Sequence, residues 1–496
     1  MSSADLPGSL RSASAPTPSL PEDDGRLARL AARFTAWAER WIPDAFVFAL
    51  VATVLVVVAA FFALTGKKSA GDAALEVVQL WGGGFWELLP FTLQMALVII
   101  TGYVLATTRP VYRLIAALAS VPKTPRAAVA WVTFFAMASS WLNWGFSLIF
   151  SAMLAREVAR RMERVDYRAL CASAFLGLGS IWAQGLSGSA ALQMATPSAL
   201  QPAIRAIVAG NGQVADGLIP LTHTIFLWQS LVSVVVEVVV ITTLMFFAAP
   251  SAAKAKSAKD LGVDLGASPL DVEPPASRNT PGEWLEHRPY LSVAFVALAG
   301  AFLVSTFAKA AEPLTALNLN TLNLLFLTAG VALHGTPARL MRAVREATPG
   351  VWGVLLQFPL YAGIAALIVK TQLNEHIAAW FVSISTPQSF PAVIAVYSAV
   401  LGIFVPSGGS KWVIEAPYVM QAAHDLKVHL GWMVAVYDLG EALANLLQPF
   451  WMLPVLGLFG LKARDVMGYT FLVFLVLAPL VLVLVTVLGA TLRYPL

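Results

Sequence analysis

One cysteine, Cys171, stands in a chain of 496 residues. A single thiol excludes an intramolecular disulfide and any cysteine-based metal cluster. Charge is almost as scarce. Asp, Glu, Lys and Arg make up 12% of the chain, against about 25% in a soluble domain. That deficit excludes an ordinary water-soluble globule of this length. Enzyme motifs are also missing: there is no P-loop, no His-Glu-x-x-His and no plausible catalytic triad. Gly185-Leu186-Ser187-Gly188 lacks the strand–turn–helix setting of a nucleophile elbow. The expectation is therefore not an enzyme, with no cofactor and no metal. No cleavable signal peptide is visible either.

Apolar sequence is what remains. The chain is 58% hydrophobic, with a mean hydropathy of +0.74, which describes an integral protein of the lipid bilayer with many spans. The net charge of +4 sits mostly in loops. It reports orientation in the membrane rather than nucleic-acid binding. Residues 1–25 read as a disordered cytoplasmic tail, and 26–43 as an amphipathic interfacial helix with Leu27, Leu30, Phe34, Trp37 and Trp41 on one face.

The most informative stretch is Phe404-Val405-Pro406-Ser407-Gly408-Gly409-Ser410-Lys411. Proline and paired glycines cannot continue a helix cheaply. In hydrocarbon, a broken backbone survives only where protein buries it or water reaches it. The flanking arms, Ser389 to Val405 and Lys411 to His424, are short for a span of about 20 residues. A re-entrant helical hairpin follows. Residues 127–159 repeat the design, with two apolar arms around Asn143-Trp144-Gly145 and basic residues at both ends.

The remaining spans fall into order around these hairpins. Residues 44–248 and 317–490 each read as span, span, surface helix, hairpin, broken helix, span. A polar linker, 249–288, and a single span, 290–308, separate them. The Trp81-Gly82-Gly83-Gly84-Phe85-Trp86 stretch reads as an interfacial aromatic turn. An odd number of crossings between the halves inverts the second. The expected fold is thus an all-α integral membrane protein of two inverted repeats, each with a re-entrant hairpin and a broken transmembrane helix. That description fits a secondary transporter; a channel built on re-entrant loops is the competing architecture.

Four breaks should converge near the midplane: Asn143–Ser147, Gln184–Ser189, Ser407–Ser410 and Asn445–Gln448. Asn143, Trp144, Gly145, Ser147, Ser187, Gly188, Ser189, Ser407, Gly408, Gly409, Ser410, Lys411, Asn445 and Gln448 are the candidate binding residues. Neutral donors for a head group and an aromatic wall for a tail suit a short carboxylate. Lys411 and Glu415, at i and i+4, share a helical face. They form a self-neutralising pair, or Lys411 draws the substrate anion. Asp438, Glu441 and Glu237 are intramembrane acids, hence candidates for coupling. Glu237 has the alternative of pairing with a basic residue elsewhere. His223 reads as packing rather than a proton relay.

Val405-Pro406-Ser407-Gly408-Gly409-Ser410, Trp412-Val413-Ile414, Gln448-Pro449-Phe450-Trp451 and Asp465-Val466-Met467-Gly468-Tyr469 together resemble the bacterial short-chain fatty acid transporter family. Asn143-Trp144-Gly145-Phe146, the run from Ala155 to Arg161, Ser187-Gly188-Ser189, and the run from Leu356 to Gly363 are similar to it as well. The resemblance covers Trp41 to about residue 490. It implies the hairpin-containing fold of the ion transporter superfamily and a place in the bacterial cytoplasmic membrane. It also implies uptake of butyrate, acetoacetate or similar monocarboxylates, with small dicarboxylates or hydroxy acids as the alternative substrates. A coupling ion, H+ or Na+, and a homodimer are implied likewise. The chain departs from the family pattern at three places. Ser410-Lys411 stands for Gly-His, Glu415 for Gln, and Ala183 and Gln184 replace glycines. The first two are charge changes of opposite sign, one helical turn apart.

Overall fold

The computed structural model describes residues 45–265, 280–310, 316–405, 408–448 and 450–496. The expected N-terminal tail, the interfacial helix and Ser407 lie outside the described residues, as does the side chain of Ser410. All regular structure among the described residues is helical.

The first repeat opens with α1 (Ala45–Thr65), α2 (Ala70–Gly84), α3 (Leu89–Ala106) and α4 (Arg109–Ala119). Its hairpin is α5 (Pro125–Leu142) and α6 (Trp144–Arg161). A broken helix follows: α7 (Tyr167–Leu176), a π turn at Gly177–Ile181, a 3₁₀ turn at Trp182–Gln184, then α8 (Ser189–Ala195). After α9 (Pro202–Ala209), the span α10 (Trp228–Ala248) closes the repeat. Short α11 (Pro281–Glu286) and the span α12 (Tyr290–Lys309) connect the halves. The second repeat runs α13 (Leu319–His334), α14 (Pro337–Ala347), α15 (Trp352–Lys370) and α16 (Leu373–Ile384). Its hairpin is α17 (Phe390–Phe404) and α18 (Gly408–Leu426). Its broken helix is α19 (Leu430–Asn445) and α20 (Leu453–Phe459), and α21 (Ala463–Gly489) ends it.

Six of these segments are long and apolar enough to cross a membrane by length and composition: α3, the run Tyr167–Ala195, α10, α12, α15 and α21. α1 and α13 are shorter apolar helices. α1 carries no charged residue on any face, as a helix solvated by lipid requires. α4 is different. Tyr112, Ile115 and Ala119 form one buried stripe, and the Trp131 indole N–H donates to Leu118 O at 3.0 Å. This is the expected surface helix, seated on the hairpin.

The packing repeats with the element order. α3 supports α6, and α15 supports α18 in the same way. α4 packs on α6 as α16 packs on α18. The first span of each repeat leaves its own half: α1 packs on α15, and α13 on α3. These crossed pairs knit the two inverted repeats into one body.

One expectation changes. The glycine-rich stretch from Trp81 is no turn; α2 runs through it to Gly84. The Ser69 side chain starts this helix by accepting from Asp72 N. At its end, a methyl group on Gly84 would lie 3.3 Å from Ala362 O and closer still to the Ala366 side chain. The glycine lets α2 meet α15 nearly backbone to backbone. That close packing offsets the poor helix propensity of glycine.

Candidate functional site

The hairpin tips stop at mid-depth. Gly145, at the first tip, faces Val98 and Ile99 in the middle of α3. Asn143 makes the turn: its side chain accepts from Phe146 N at 2.8 Å and so starts α6. Gly102 of α3 leaves room for that turn, since an added methyl group would sit 2.6 Å from Phe146 N. The Trp144 backbone N–H, left free at the head of α6, donates to Ser187 Oγ at 2.9 Å. This bond ties the first tip to the break in the first broken helix. Ser147 turns inward and donates to Ala136 O at 2.7 Å. Gly188 allows the break itself, because any side chain there would strike Ala183 O.

The second tip meets the same broken helix. Gly408 lies against the Trp182 ring and Gly409 against Ser189 and Phe91. The Tyr437 hydroxyl donates to Gly408 O. Asn445 Nδ2 donates to Leu178 O at 3.1 Å, and Gln448 Nε2 donates to Asn445 Oδ1 at 2.8 Å. The two broken helices are thereby held to each other.

These four breaks enclose a cavity lined by Met95, Trp144, Leu178, Trp182, Ser189, Val354, Phe358, Gly408, Gly409, Asn445 and Trp451. Its volume is only about 30 Å³, room for one or two waters in this conformation. Among the described residues no charged side chain lines it. Trp144 packs edge-on against both Trp182 and Trp451, with ring centroids 6.5 and 5.5 Å apart. The indole N–H groups of Trp144 and Trp182 are buried without a hydrogen-bond partner. The first turn of α18 adds backbone amides that have no intrahelical acceptor.

Of the residues expected from sequence, Trp144, Ser189, Gly408, Gly409 and Asn445 line this cavity. Asn143, Gly145, Ser147, Ser187, Gly188 and Gln448 shape the turns around it. Met95, Leu178, Trp182, Val354 and Phe358 were not anticipated. They lie in uninterrupted apolar sequence, where only a position beside a break singles out Trp182.

Lys411 lies apart from the cavity and is fully buried. Its ammonium is 2.9 Å from Glu415 Oε1 and 2.8 Å from Glu441 Oε2, and it donates to Ser398 O at 2.9 Å. It also sits 4.3 Å from the centre of the Tyr437 ring. Ser398 Oγ donates to Glu415 Oε2 at 2.5 Å. Lys411 thus bridges two buried carboxyl groups, one on its own helix and one on α19. Asp438 and Glu237 are buried elsewhere: Asp438 lines a second, smaller cavity with Gln184, and Gln184 Nε2 donates to both Glu237 oxygens at 3.1 Å. His223 stacks beside His429, with ring centroids 6.5 Å apart, and does not line the main cavity.

Two helical hairpins, two broken helices and a small neutral cavity where they meet, among helices long and apolar enough to cross a bilayer, mark a multi-pass membrane protein. Two solved structures share the fold. The Alcanivorax borkumensis YdaH transporter, described as having an unusual topology, aligns with a TM-score of 0.57 at 16% identity, covering 90% of this chain and 98% of that one. Neisseria gonorrhoeae MtrF, from a class of antimetabolite efflux pumps, aligns with a TM-score of 0.56 at 13% identity, covering 95% and 98%. At these identities the likeness concerns fold alone. The family follows from sequence: the short chain fatty acid transporter family matches residues 26–488, and the chain belongs to it. A relative from Escherichia coli (strain K12) that carries the family's name is 37% identical over 447 residues, covering 90% of this chain and 95% of its own. Another from Haemophilus influenzae is 33% identical over 458 residues, covering 92% and 99%. The chain is a transporter and not an enzyme.

Proposed function

We propose that this protein carries short monocarboxylates such as butyrate or acetoacetate across the bacterial cytoplasmic membrane by alternating access, driven by a cation gradient. The observation that carries this reading is the pair of unpartnered indole N–H groups, Trp144 and Trp182, in the wall of a mostly apolar cavity. A carboxylate head would accept from these indoles and from the amides at the start of α18. A tail of two or three carbons would rest on Met95, Val354, Phe358 and Trp451. The donors are neutral and few, and among the described residues no charged side chain lines the cavity. A second carboxylate would therefore go uncompensated, which favours mono- over dicarboxylates.

Exchange between the two sides follows from the tips. Both hairpin tips line the cavity, so lifting one tip at a time would expose the site alternately. The test is counterflow in proteoliposomes with labelled acetoacetate or butyrate, competed by succinate. Protein-free liposomes set the baseline, because the uncharged acids cross lipid unaided. Accumulation of label against unlabelled internal acetoacetate, indifferent to succinate, is the expected result. Equal competition by succinate would move the substrate class to dicarboxylates, and absence of accumulation would argue against a carrier.

A further inference from the structure

The buried charges do not balance. Lys411 already faces two carboxyl groups, Glu415 and Glu441. One turn before Glu441, Asp438 is 2% exposed, and its Oδ2 has no hydrogen-bond partner. It lines a small cavity whose other walls include Gln184, Ser230 and Ile225. Gln184 uses its amide N–H groups on Glu237, which is 1% exposed, and leaves its own Oε1 unpartnered. Two acids thus flank one glutamine, and two orphan oxygens come from residues on the walls of one cavity. A bare carboxylate in such a setting is far too costly to persist without a cation or a proton.

The cation facing Asp438 is Lys411 on α18, already held between Glu415 and Glu441. Glu441 also faces Asp438 from its own helix, with Tyr437 beside them. Glu237 accepts from Gln184, which shares the cavity wall with Asp438. α5, α17 and α21 also pack on α10 or α19, and bring no Lys, Arg or His to this cavity. A metal cation would need several free oxygens. Ser230 Oγ is engaged with Thr224 O at 2.7 Å, and among the described residues no cluster of three or more His, Cys, Asp or Glu is placed to hold a metal ion. One cation beside Asp438 would still leave Glu237 uncompensated.

We propose that Asp438 and Glu237, on either side of Gln184, form the proton-loading site of the transport cycle, so that the coupling ion is H+. A proton on Asp438 Oδ2 makes that oxygen a donor, and the free Gln184 Oε1 is an acceptor within the same cavity. The link to substrate is one short element: Trp182, in the wall of the main cavity, and Gln184, beside both acids, belong to the same 3₁₀ turn. Movement of that turn as a carboxylate arrives changes the setting of the acids. The inference rests on the carboxylate reading only for what the proton is coupled to.

Two measurements on the full purified chain test it. Infrared spectra at neutral pH should show the C=O band of protonated carboxyl groups, with part of it lost in Asp438→Asn and another part in Glu237→Gln. Calorimetric titration with acetoacetate, at the alkaline pH where that band has faded and in buffers of different ionisation enthalpy, should report uptake of about one proton per acetoacetate bound. Asp438→Asn should bind acetoacetate with that uptake abolished. A missing protonated-carboxyl band, proton uptake unchanged in Asp438→Asn, or acetoacetate binding that needs Na+ and takes up no proton would each overturn the proposal. If acetoacetate does not bind at all, the carboxylate reading fails, and the infrared band still decides whether these acids hold protons.

Discussion

Trp182→Phe keeps a ring against Trp144 and removes one N–H from the cavity wall. A hydrogen bond to a charged acceptor contributes about 1.5–3 kcal/mol. The apparent KM for acetoacetate should then rise on the order of tenfold or more, with yield and maximal rate nearly unchanged. Initial rates of counterflow measure this. An unchanged KM would remove Trp182 from carboxylate binding. Lys411 raises a different question. It compensates two carboxyl groups, so its loss should hurt more than the loss of either. Breaking a buried pair costs roughly 3–5 kcal/mol. Lys411→Ala should sharply lower the yield of monodisperse protein. Glu415→Gln should be mild, because Glu441 still faces the ammonium. Lys411→His combined with Glu415→Gln, the pairing that the family resemblance implies, should recover much of the yield. Size-exclusion profiles of detergent extracts report it, and normal yield from Lys411→Ala would show that the cluster contributes little to folding.

At the scale of elements, the first hairpin is fastened at its basic end by Glu157. This carboxylate accepts from Arg160 at 2.9 Å, from Arg161 at 3.1 Å and from the Tyr112 hydroxyl of α4 at 3.2 Å. Burial pushes its pKa up, but the hydrogen bonds from Arg160, Arg161 and Tyr112 outweigh it, and the net shift is downward. A carboxyl group whose pKa is lower in the folded state stabilises at pH values above its unfolded pKa, about 4.3. That contribution is lost as pH falls through the lower folded value. Glu157→Gln should therefore be less thermostable than the parent by a constant margin from about pH 8 to 5, and the margin should close below about pH 4. Thermal unfolding in detergent across that range checks the sign; a margin that widened in acid would contradict it.

At the scale of the whole molecule, the expected inversion of the second repeat predicts where loops emerge. The exit of the first hairpin, at Arg164, and that of the second, at Asp425, are both exposed. Cysteines placed there in a Cys171→Ala background should react with membrane-impermeant reagents from opposite sides. Reaction from one side would remove the inversion. Asp425 suits this better than neighbouring His424, which is buried with its ring nitrogens 2.8 Å from the Tyr494 hydroxyl and 3.1 Å from Val208 O. Much of this architecture was legible beforehand. Pro406 with Gly408 and Gly409, and Asn143 with Gly145, mark breaks that no run of leucine and valine can imitate. Arginine clusters such as Arg160, Arg161 and Arg164 mark the ends. Membrane residence, the order of elements and the convergence of four breaks follow from such punctuation, because backbone propensity and the cost of charge in lipid are local properties. Which side chains line the cavity is a different matter. Lipid is as apolar as a protein core, so the sequence around Met95, Val354 and Phe358 carries no phase that separates a lipid-facing residue from a cavity-facing one. The partners of Lys411 were only half visible. Glu415 lies one turn away on the same helix, whereas Glu441 reaches the ammonium only because α18 and α19 pack together. The same packing turned Lys411 away from the cavity and set Asp438 opposite Gln184. Those placements belong to tertiary structure, since they depend on how helices distant in the chain rotate against each other.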